Sequence, residues 1–475
     1  MKSPHAILVT APTSDAGKTT VTLGLLRLLQ QRGIAVRSAK SGPDYIDPTY
    51  HLAACGNPCV NLDAWSMSAQ VIRDLAFHGE GPDHAEFVII EGAMGVIDGA
   101  GSAGAGSAAD LAEILDIPVI LVVSAERVAQ SSILPVLGLR EARPNLQIAG
   151  LIANRVASER HALQIKTAAD RHGVALLGCL RRSPDLNLHA RHLGLVPAGE
   201  HGFIEAFLEH AADCIAADID VDAVLAAARP LSESRIKEVG FSIPPLGQRI
   251  AVANDDAFVF TYRHLLIDWK RQGVEIQFFS PLADEPPPVD CDSVYLPGGY
   301  PELHAYGLAA ARQFRHGMAM AADNGKFIYG ECGGFMVLGQ TLEDKNRQRH
   351  RMLELLSHSS SFAKPTLHLG YRQLQAPNDN RLSGTYMGHE FHYAALENGE
   401  TRNPLFTARD ADGKGLPGMG QTRGSVSGSF AHLICRRQPD CCWDAGYAGG
   451  LDHTGSSRET PRLKAPHQQE SGPYA

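Results

Sequence analysis

A chain of 475 residues exceeds one ordinary hydrophobic core and predicts two or three compact units, and a composition 44% hydrophobic and 20% charged is that of a folded globular protein. A net charge of −9, with Lys and Arg scattered, excludes the basic footprint of a nucleic-acid binder and favours a small-molecule substrate. Nine unevenly spaced cysteines exclude a secreted disulfide framework; with no cleavable leader and no apolar run near the ~18 residues of a membrane span, a cytoplasmic protein without membrane contact is expected.

From residue 6 to about 200, short apolar runs alternate with amphipathic helical stretches, the pattern of a mostly parallel sheet covered by helices. Candidate strands are Ala6–Thr10, Ala35–Ala39, Phe87–Ile90, Val119–Val123 and Ile148–Ala153, each nearly continuous in apolar residues, as strands buried on both faces are. Binding groups are expected at their carboxyl ends.

The first strand leads into Ala11-Pro12-Thr13-Ser14-Asp15-Ala16-Gly17-Lys18-Thr19-Thr20, followed by a helix over Val21–Arg32. This is a phosphate loop in its proper setting, with Pro12 where a leading Gly is usual. Gly17, Lys18, Thr19 and Thr20 are the nucleotide-binding residues: backbone N–H groups and the helix N-terminus cradle phosphates, Lys18 neutralises the β/γ charge, and the Thr19 hydroxyl is placed for Mg²⁺.

The second strand ends in Lys40-Ser41-Gly42-Pro43-Asp44-Tyr45-Ile46-Asp47-Pro48. Asp44 and Asp47 suit a metal and substrate loop, and equally turn and N-cap positions. The next strand delivers Glu91 where a second Mg²⁺ ligand is needed. Asp98 opens the run Gly99–Gly106, a closing lid or a solvated loop; Asn154, after the fifth strand, stands where adenine contacts or an ordinary turn occur.

Residues 201–247 begin helical and end in the Pro-rich linker Ser242–Gly247. A second α/β unit follows, with strands Arg249–Ala253, Glu275–Phe279, Ser293–Leu296 and Lys326–Tyr329 and a helix over Tyr262–Arg271. The third of these strands ends in Gly298-Gly299, whose N–H groups can face an oxyanion or simply make a turn.

The last strand enters Gly330-Glu331-Cys332-Gly333-Gly334 and a helix from about Met336, a cysteine version of the nucleophile elbow. The small flanking residues relieve crowding in the strained turn, and the helix N-terminus is expected to lower the thiol pKa. His432 is the candidate base. The cluster Gly388-His389-Glu390-Phe391-His392-Tyr393 lacks the four-residue His spacing of a zinc helix and lies in a strand-like context, so a substrate-facing or core role is expected. After Leu433 the pattern fails, and residues 438–475 are expected to be a disordered tail.

Six segments together, Ala11–Thr22, Gly42–Pro48, Glu91–Gly95, Leu296–Glu302, Gly330–Gly334 and Gly388–Tyr393, resemble the cobyrinic acid and hydrogenobyrinic acid a,c-diamide synthase family over roughly residues 5–434. The resemblance implies a P-loop-type, mostly parallel α/β synthetase domain (1–200), a helical segment and linker (201–247) and a class I glutamine amidotransferase-like α/β domain (248–437). It also implies ATP and Mg²⁺ as cofactors, a corrin-ring carboxylate and L-glutamine as substrates, and no nucleic-acid or membrane partner; a homo-oligomer is compatible with it.

By position the resemblance marks Cys332 as nucleophile and His432 as its base, with catalytic or metal roles for Asp44, Asp47, Glu91 and Asp98. Class I glutaminases usually carry a Glu two residues after the catalytic His; Ile434 stands there, so the orienting group is absent or comes from elsewhere. The implied reaction is amidation of the a and c acetates through an acyl phosphate. Hydrogenobyrinic acid is the favoured corrinoid, on the likeness of Pro281–Glu285 and His368–Arg372 to the enzymes of the aerobic route. Cobyric acid synthase-like amidation of other carboxylates is the alternative substrate choice, and a nucleotide-switch ATPase the alternative of another class.

Overall fold

The computed structural model describes residues 3–82, 84–186, 190–191, 194–195, 202–234, 238–397 and 404–438; the expected tail lies outside them apart from Gln438. The first sheet contains β1 (His5–Thr10), β2 (Val36–Ser41), β3 (Cys59–Leu62), β4 (Phe87–Glu91), β5 (Val119–Ser124), β6 (Ile148–Val156) and β7 (Leu176–Arg181), in the order β3-β2-β4-β1-β5-β6-β7. Every pairing along that path is parallel. β1 lies at the centre, where the chain leaves toward one edge and later continues toward the other, so its carboxyl end opens into the crevice that such a reversal creates.

Apolar residues on both faces of β1, β4 and β5 demand cover from both sides, and helices supply it. Helix α1 (Lys18–Gln31) packs against the helix Ile204–Asp218, closely enough that a Cβ on Gly24 would stand 2.8 Å from the carbonyl oxygen of Ala211. Arg229–Pro230 then pairs antiparallel with β1. Segment 201–247, expected to bridge two units, is therefore in its first part a layer of the first sheet. Its Pro-rich end is packed too: Phe241, Ile243 and Leu246 are buried, the Trp269 indole donates to Ile243 O, and Ser242 donates to Asp268.

The second sheet orders Glu275–Phe279, Arg249–Ala253, Ser293–Leu296, Phe327–Glu331, Val426–Ser429 and Gln421–Arg423, parallel except for the last pair. An antiparallel sheet of Gly415–Met419, Phe406–Arg409, His368–Ala376, Gly384–His392 and His432–Arg436 lies beside it. The pattern thus continues past Leu433: residues 432–436 form a strand paired with Gly384–His392, and Cys435 is buried. His432 stands where the chain passes from one sheet to the other.

Side chains tie the two halves together. Tyr371 Oη donates to Asp63 Oδ2 (3.0 Å), Arg263 Nε to Glu80 (2.7 Å), and Arg271 pairs with buried Asp74. A single buried apolar cluster includes Leu75 and Phe77 with Leu266 and Trp269. The Gly99–Gly106 run is closed on itself by the Ala100↔Ala105 bridge and held by Ser102, whose N–H and hydroxyl donate to Asp412. Among the described residues, no helix is long and apolar enough to cross a membrane.

Candidate active sites at the domain seam

At the carboxyl end of β1, Gly17 takes φ 94° as the N-cap of α1, a left-handed conformation that glycine adopts without a Cβ penalty. Behind it, Asn154 Nδ2 donates to Ala16 O (2.9 Å) while its Oδ1 accepts from Arg155 N, so Asn154 buttresses the loop. The same side chain lines a cleft with Gly17, Thr20, Arg155, Arg181 and Arg182. Lys18 is largely buried, and burial, reinforced by the nearby Lys40 charge, lowers its ammonium pKa.

Strands β2 and β4 are register neighbours, with Lys40 opposite Glu91, and this pairing assembles the acidic centre. Lys40 Nζ donates to Asp47 Oδ2 (2.5 Å) and Glu91 Oε1 (2.9 Å) and lies 3.9 Å from Asp44 Oδ2. Thr19 Oγ1 donates to Glu91 Oε1 (2.6 Å), and His51 Nε2 meets Glu91 Oε2 (2.8 Å). Burial alone would raise the Glu91 carboxyl, but Lys40 and His51 outweigh it and hold the group ionised. Burial and the Asp44 charge push Asp47 up to about 7 despite Lys40. Asp44 also takes its alternative role, accepting the N–H groups of Ile46 and Asp47 as a turn residue.

In the second sheet, Cys332 adopts φ 47°, a positive value unusual for a residue with a side chain and the mark of a strained elbow. The elbow needs its glycines: a Cβ on Gly334 would lie 2.0 Å from Leu296 O, and one on Gly330 2.6 Å from Leu338 Cδ1. Gly298 is wedged between the two candidate catalytic residues, since a Cβ there would be 2.4 Å from His432 Cε1, 3.3 Å from His432 Nε2 and 3.3 Å from Cys332 Cβ. Gly299 N faces the same turn, 2.9 Å from where a Gly333 Cβ would be.

The thiol differs from expectation. Burial drives the Cys332 thiol well above its ordinary range and the Glu302 charge adds to the rise; the helix after it, Gly333–Leu338, is only six residues long and does not reverse the balance. His432 is pushed down to about 3 by burial and by His389 and His392, so its ring is neutral. Ile434 is buried in the core, and the carboxylate nearest His432 Nδ1 is Glu331 Oε2 at 3.8 Å. Glu331 also accepts from Tyr295 Oη and Leu433 N, and burial lifts it to about 7.

One cavity of about 620 Å³ is lined by Gly17, Lys18, Thr19, Thr20, Asp44 and Asp47 and also by His432, Phe391 and His389; Cys332 lies behind His432 and does not itself line it. Asp98 lies in an adjoining cavity of about 390 Å³ with Met94, Leu369 and Arg372, its Oδ2 accepting from Gly95 N. Phe391 O approaches Cys332 Sγ (4.0 Å), whereas strand alternation sends Glu390 and His392 to the other face. There His368, Glu390 and His392 are close enough to hold a metal, but Glu390 is already gripped by Arg372 through Nε (2.9 Å) and Nη2 (2.8 Å) and met by His392 Nε2 (3.0 Å).

Glu331, His51 and the Arg372–Glu390 pair were not singled out from the sequence. Glu331 carried a local signal as the residue before the elbow cysteine, and Glu390 one as a member of the cluster Gly388–Tyr393; His51 and the pairing of Glu390 with Arg372 carried none.

Comparison with known proteins places both centres in recognised domains. Residues 7–196 match the CobQ/CobB/MinD/ParA nucleotide binding domain, and residues 249–440 match the CobB/CobQ-like glutamine amidotransferase domain. The chain is 50% identical over 428 residues to a hydrogenobyrinate a,c-diamide synthase of Brucella abortus biovar 1 (strain 9-941), covering 90% of this chain and 98% of that one. It is 47% identical over 430 residues to the Rhizobium meliloti (strain 1021) protein of the same name, covering 90% and 99%. The Mesorhizobium japonicum protein, again of that name, is 46% identical over 439 residues, covering 91% and 99%.

Proposed function

The chain belongs to the hydrogenobyrinate a,c-diamide synthase family, and from that premise we propose how its residues divide the work. It is a glutamine-hydrolysing, amide-forming ligase of cobalamin biosynthesis with a nucleotide-binding domain and a glutamine amidotransferase domain. Residues 1–200 form the synthetase unit, 201–247 its packed extension and connection, and 248–437 the glutaminase unit.

In the synthetase unit, ATP phosphates lie on Gly17–Thr20, and the cleft beside Asn154 and Arg155 receives the nucleoside end. The contact between the Thr19 hydroxyl and Glu91 offers the hard oxygen donors that suit Mg²⁺, which when bound would neutralise phosphate charge. Lys40 holds Asp47 and Glu91 in place against mutual repulsion. A corrin acetate is a poor acyl donor; on taking the γ-phosphoryl group it becomes an acyl phosphate, which ammonia attacks with release of phosphate. Asp44, Asp47 and Asp98 orient the carboxylate and its attacker.

In the glutaminase unit, His432 Nε2 takes the Cys332 proton as the thiolate attacks the glutamine carboxamide, and the Gly298 and Gly299 N–H groups face the resulting oxyanion. On collapse His432 passes that proton to the leaving nitrogen, so ammonia departs and a thioester remains; water then hydrolyses the thioester to glutamate and restores the Cys332 thiol. Glu331, 3.8 Å from His432 Nδ1, is the carboxylate that would orient the ring once that gap closes, the task that Ile434 cannot perform.

The observation that carries this reading is that one cavity is lined both by phosphate-loop residues and by His432. Ammonia released inside it meets the acyl phosphate before solvent protonates it. The metal-free corrinoid is the proposed substrate, after the names of the relatives, and kcat/KM compared on metal-free and cobalt-containing rings checks it. Cys332→Ala tests the division of labour: glutamine-dependent amidation is expected to vanish while amidation with concentrated ammonium salt persists. Equal loss with both donors overturns the assignment.

A further inference from the structure

One aromatic ring joins the two centres. Tyr45 sits in the turn between Asp44 and Asp47, the two acids grouped on Lys40. Its ring centroid lies 5.0 Å from that of His432, 4.2 Å from Tyr262 and 5.0 Å from Phe260. Phe260 is fastened in turn to the glutaminase centre, because its N–H donates to the carbonyl of Gly298 (2.9 Å), the glycine wedged between Cys332 and His432.

The turn itself is stiff. Asp44 Oδ1 accepts from both Ile46 N (2.8 Å) and Asp47 N (3.0 Å), so a movement of either acid carries the ring between them. The histidine, by contrast, is held by packing alone at this nitrogen: His432 Nδ1 is buried without a hydrogen-bond partner among the described residues, and Glu331 Oε2 is 3.8 Å away. At that separation no hydrogen bond fixes the imidazole, and its orientation is left to the rings packed against it.

We infer that Tyr45 is a positioning residue through which the phosphoryl-transfer centre controls the glutaminase base. Ligands arriving at Lys40, Asp44 and Asp47 redistribute charge on the turn. Tyr45 shifts with it, His432 Nδ1 closes on Glu331, and Nε2 is aimed at Cys332. Glutamine is then hydrolysed fast only when a nucleotide and a carboxylate acceptor are in place. The inference rests on the site roles proposed above and adds a direction of control between the two centres.

The test is glutamate release by the full chain with and without ATP plus the corrin acid, with ammonia-driven amidation measured in parallel. Wild type is expected to be stimulated at least about fivefold, the lower range of common coupling factors. Tyr45→Leu is expected to bring the ratio close to one while keeping ammonia-driven amidation, and Tyr45→Phe to restore stimulation. Phe260→Leu, which changes no residue of the acidic turn and removes only the ring stacked on Tyr45, is expected to lose stimulation as well. Wild-type stimulation in Tyr45→Leu, its absence in wild type, or equal loss of ammonia-driven amidation in both Leu variants overturns the inference. Failure of the underlying site roles has a separate signature: persistence of glutamine-dependent amidation in Cys332→Ala.

Discussion

Gly298→Ala is the sharpest perturbation the geometry offers. The added Cβ would stand 2.4 Å from His432 Cε1. Carbon atoms in contact keep about 3.5–4.0 Å, so one of the two groups must retreat by more than about 1 Å. His432 has little room: it is 1% exposed and its ring is packed by Tyr45. Gly298 is held too, through its carbonyl to Phe260 N. A displacement of about 1 Å between reacting groups costs about 100-fold in rate, or about 2.7 kcal/mol of transition-state stabilisation. Glutamine-dependent kcat is therefore expected to fall about 100-fold, with ammonia-dependent amidation retained because the phosphate loop and acidic centre keep their own contacts. The assay follows diamide formation by mass with each nitrogen donor, and glutamate release separately. Glutamine turnover at the wild-type rate would refute the placement of His432 against Cys332; matching losses with both donors would show general damage to the fold.

Glu91→Gln is expected to stop amidation with either nitrogen donor while glutamate release continues, since the change removes a charge from the phosphoryl-transfer centre and leaves the Cys332 elbow intact; ammonia-driven turnover at the wild-type rate would count against its role. Lys40→Met strands two buried carboxylates and is expected to cost about 3–5 kcal/mol in urea denaturation, with Asp47→Asn in the same chain recovering part of the loss. Stability should also fall with acid. His264, buried with Nε2 on Ile434 O, is depressed by burial to about 4 from an ordinary 6.5, so the unfolded chain takes up its proton first as pH drops. Its contribution is full above pH 6.5 and is lost progressively toward pH 4, about 3 kcal/mol in all. The urea midpoint should fall from pH 7 to pH 5, and by less in His264→Phe; identical slopes for the two proteins would contradict this.

Local chemistry made several features readable from the chain alone. The buried strands β1, β4 and β5 announce themselves as apolar runs. Phosphate loop and elbow are short, contiguous motifs in which each residue type is dictated by its own turn. β3 and β7 escaped for the opposite reason: Cys59–Leu62 is four residues with Asn61 inside it, and β7 is broken by Gly178, so neither presents the continuous run that identifies a buried strand. The apolar pattern was read as failing after Leu433 because His432–Arg436 is recognised as a strand only through its partner, Gly384–His392.

Sequence by itself determined the two α/β units and pointed to the phosphate loop at Gly17–Thr20, the elbow at Cys332 and the acids Asp44, Asp47 and Glu91, because each of these motifs depends on neighbours within a few residues. Tertiary structure alone decided how they cooperate. The Lys40–Glu91 pair depends on the register of β2 against β4, 51 residues apart in the chain. Glu331 stands near His432 because two sheets meet at a corner, and Tyr45 reaches His432 across the seam between the two halves. Burial likewise reversed the expected lowering of the Cys332 thiol, since desolvation is set by everything packed around a group and not by the residues beside it in the chain.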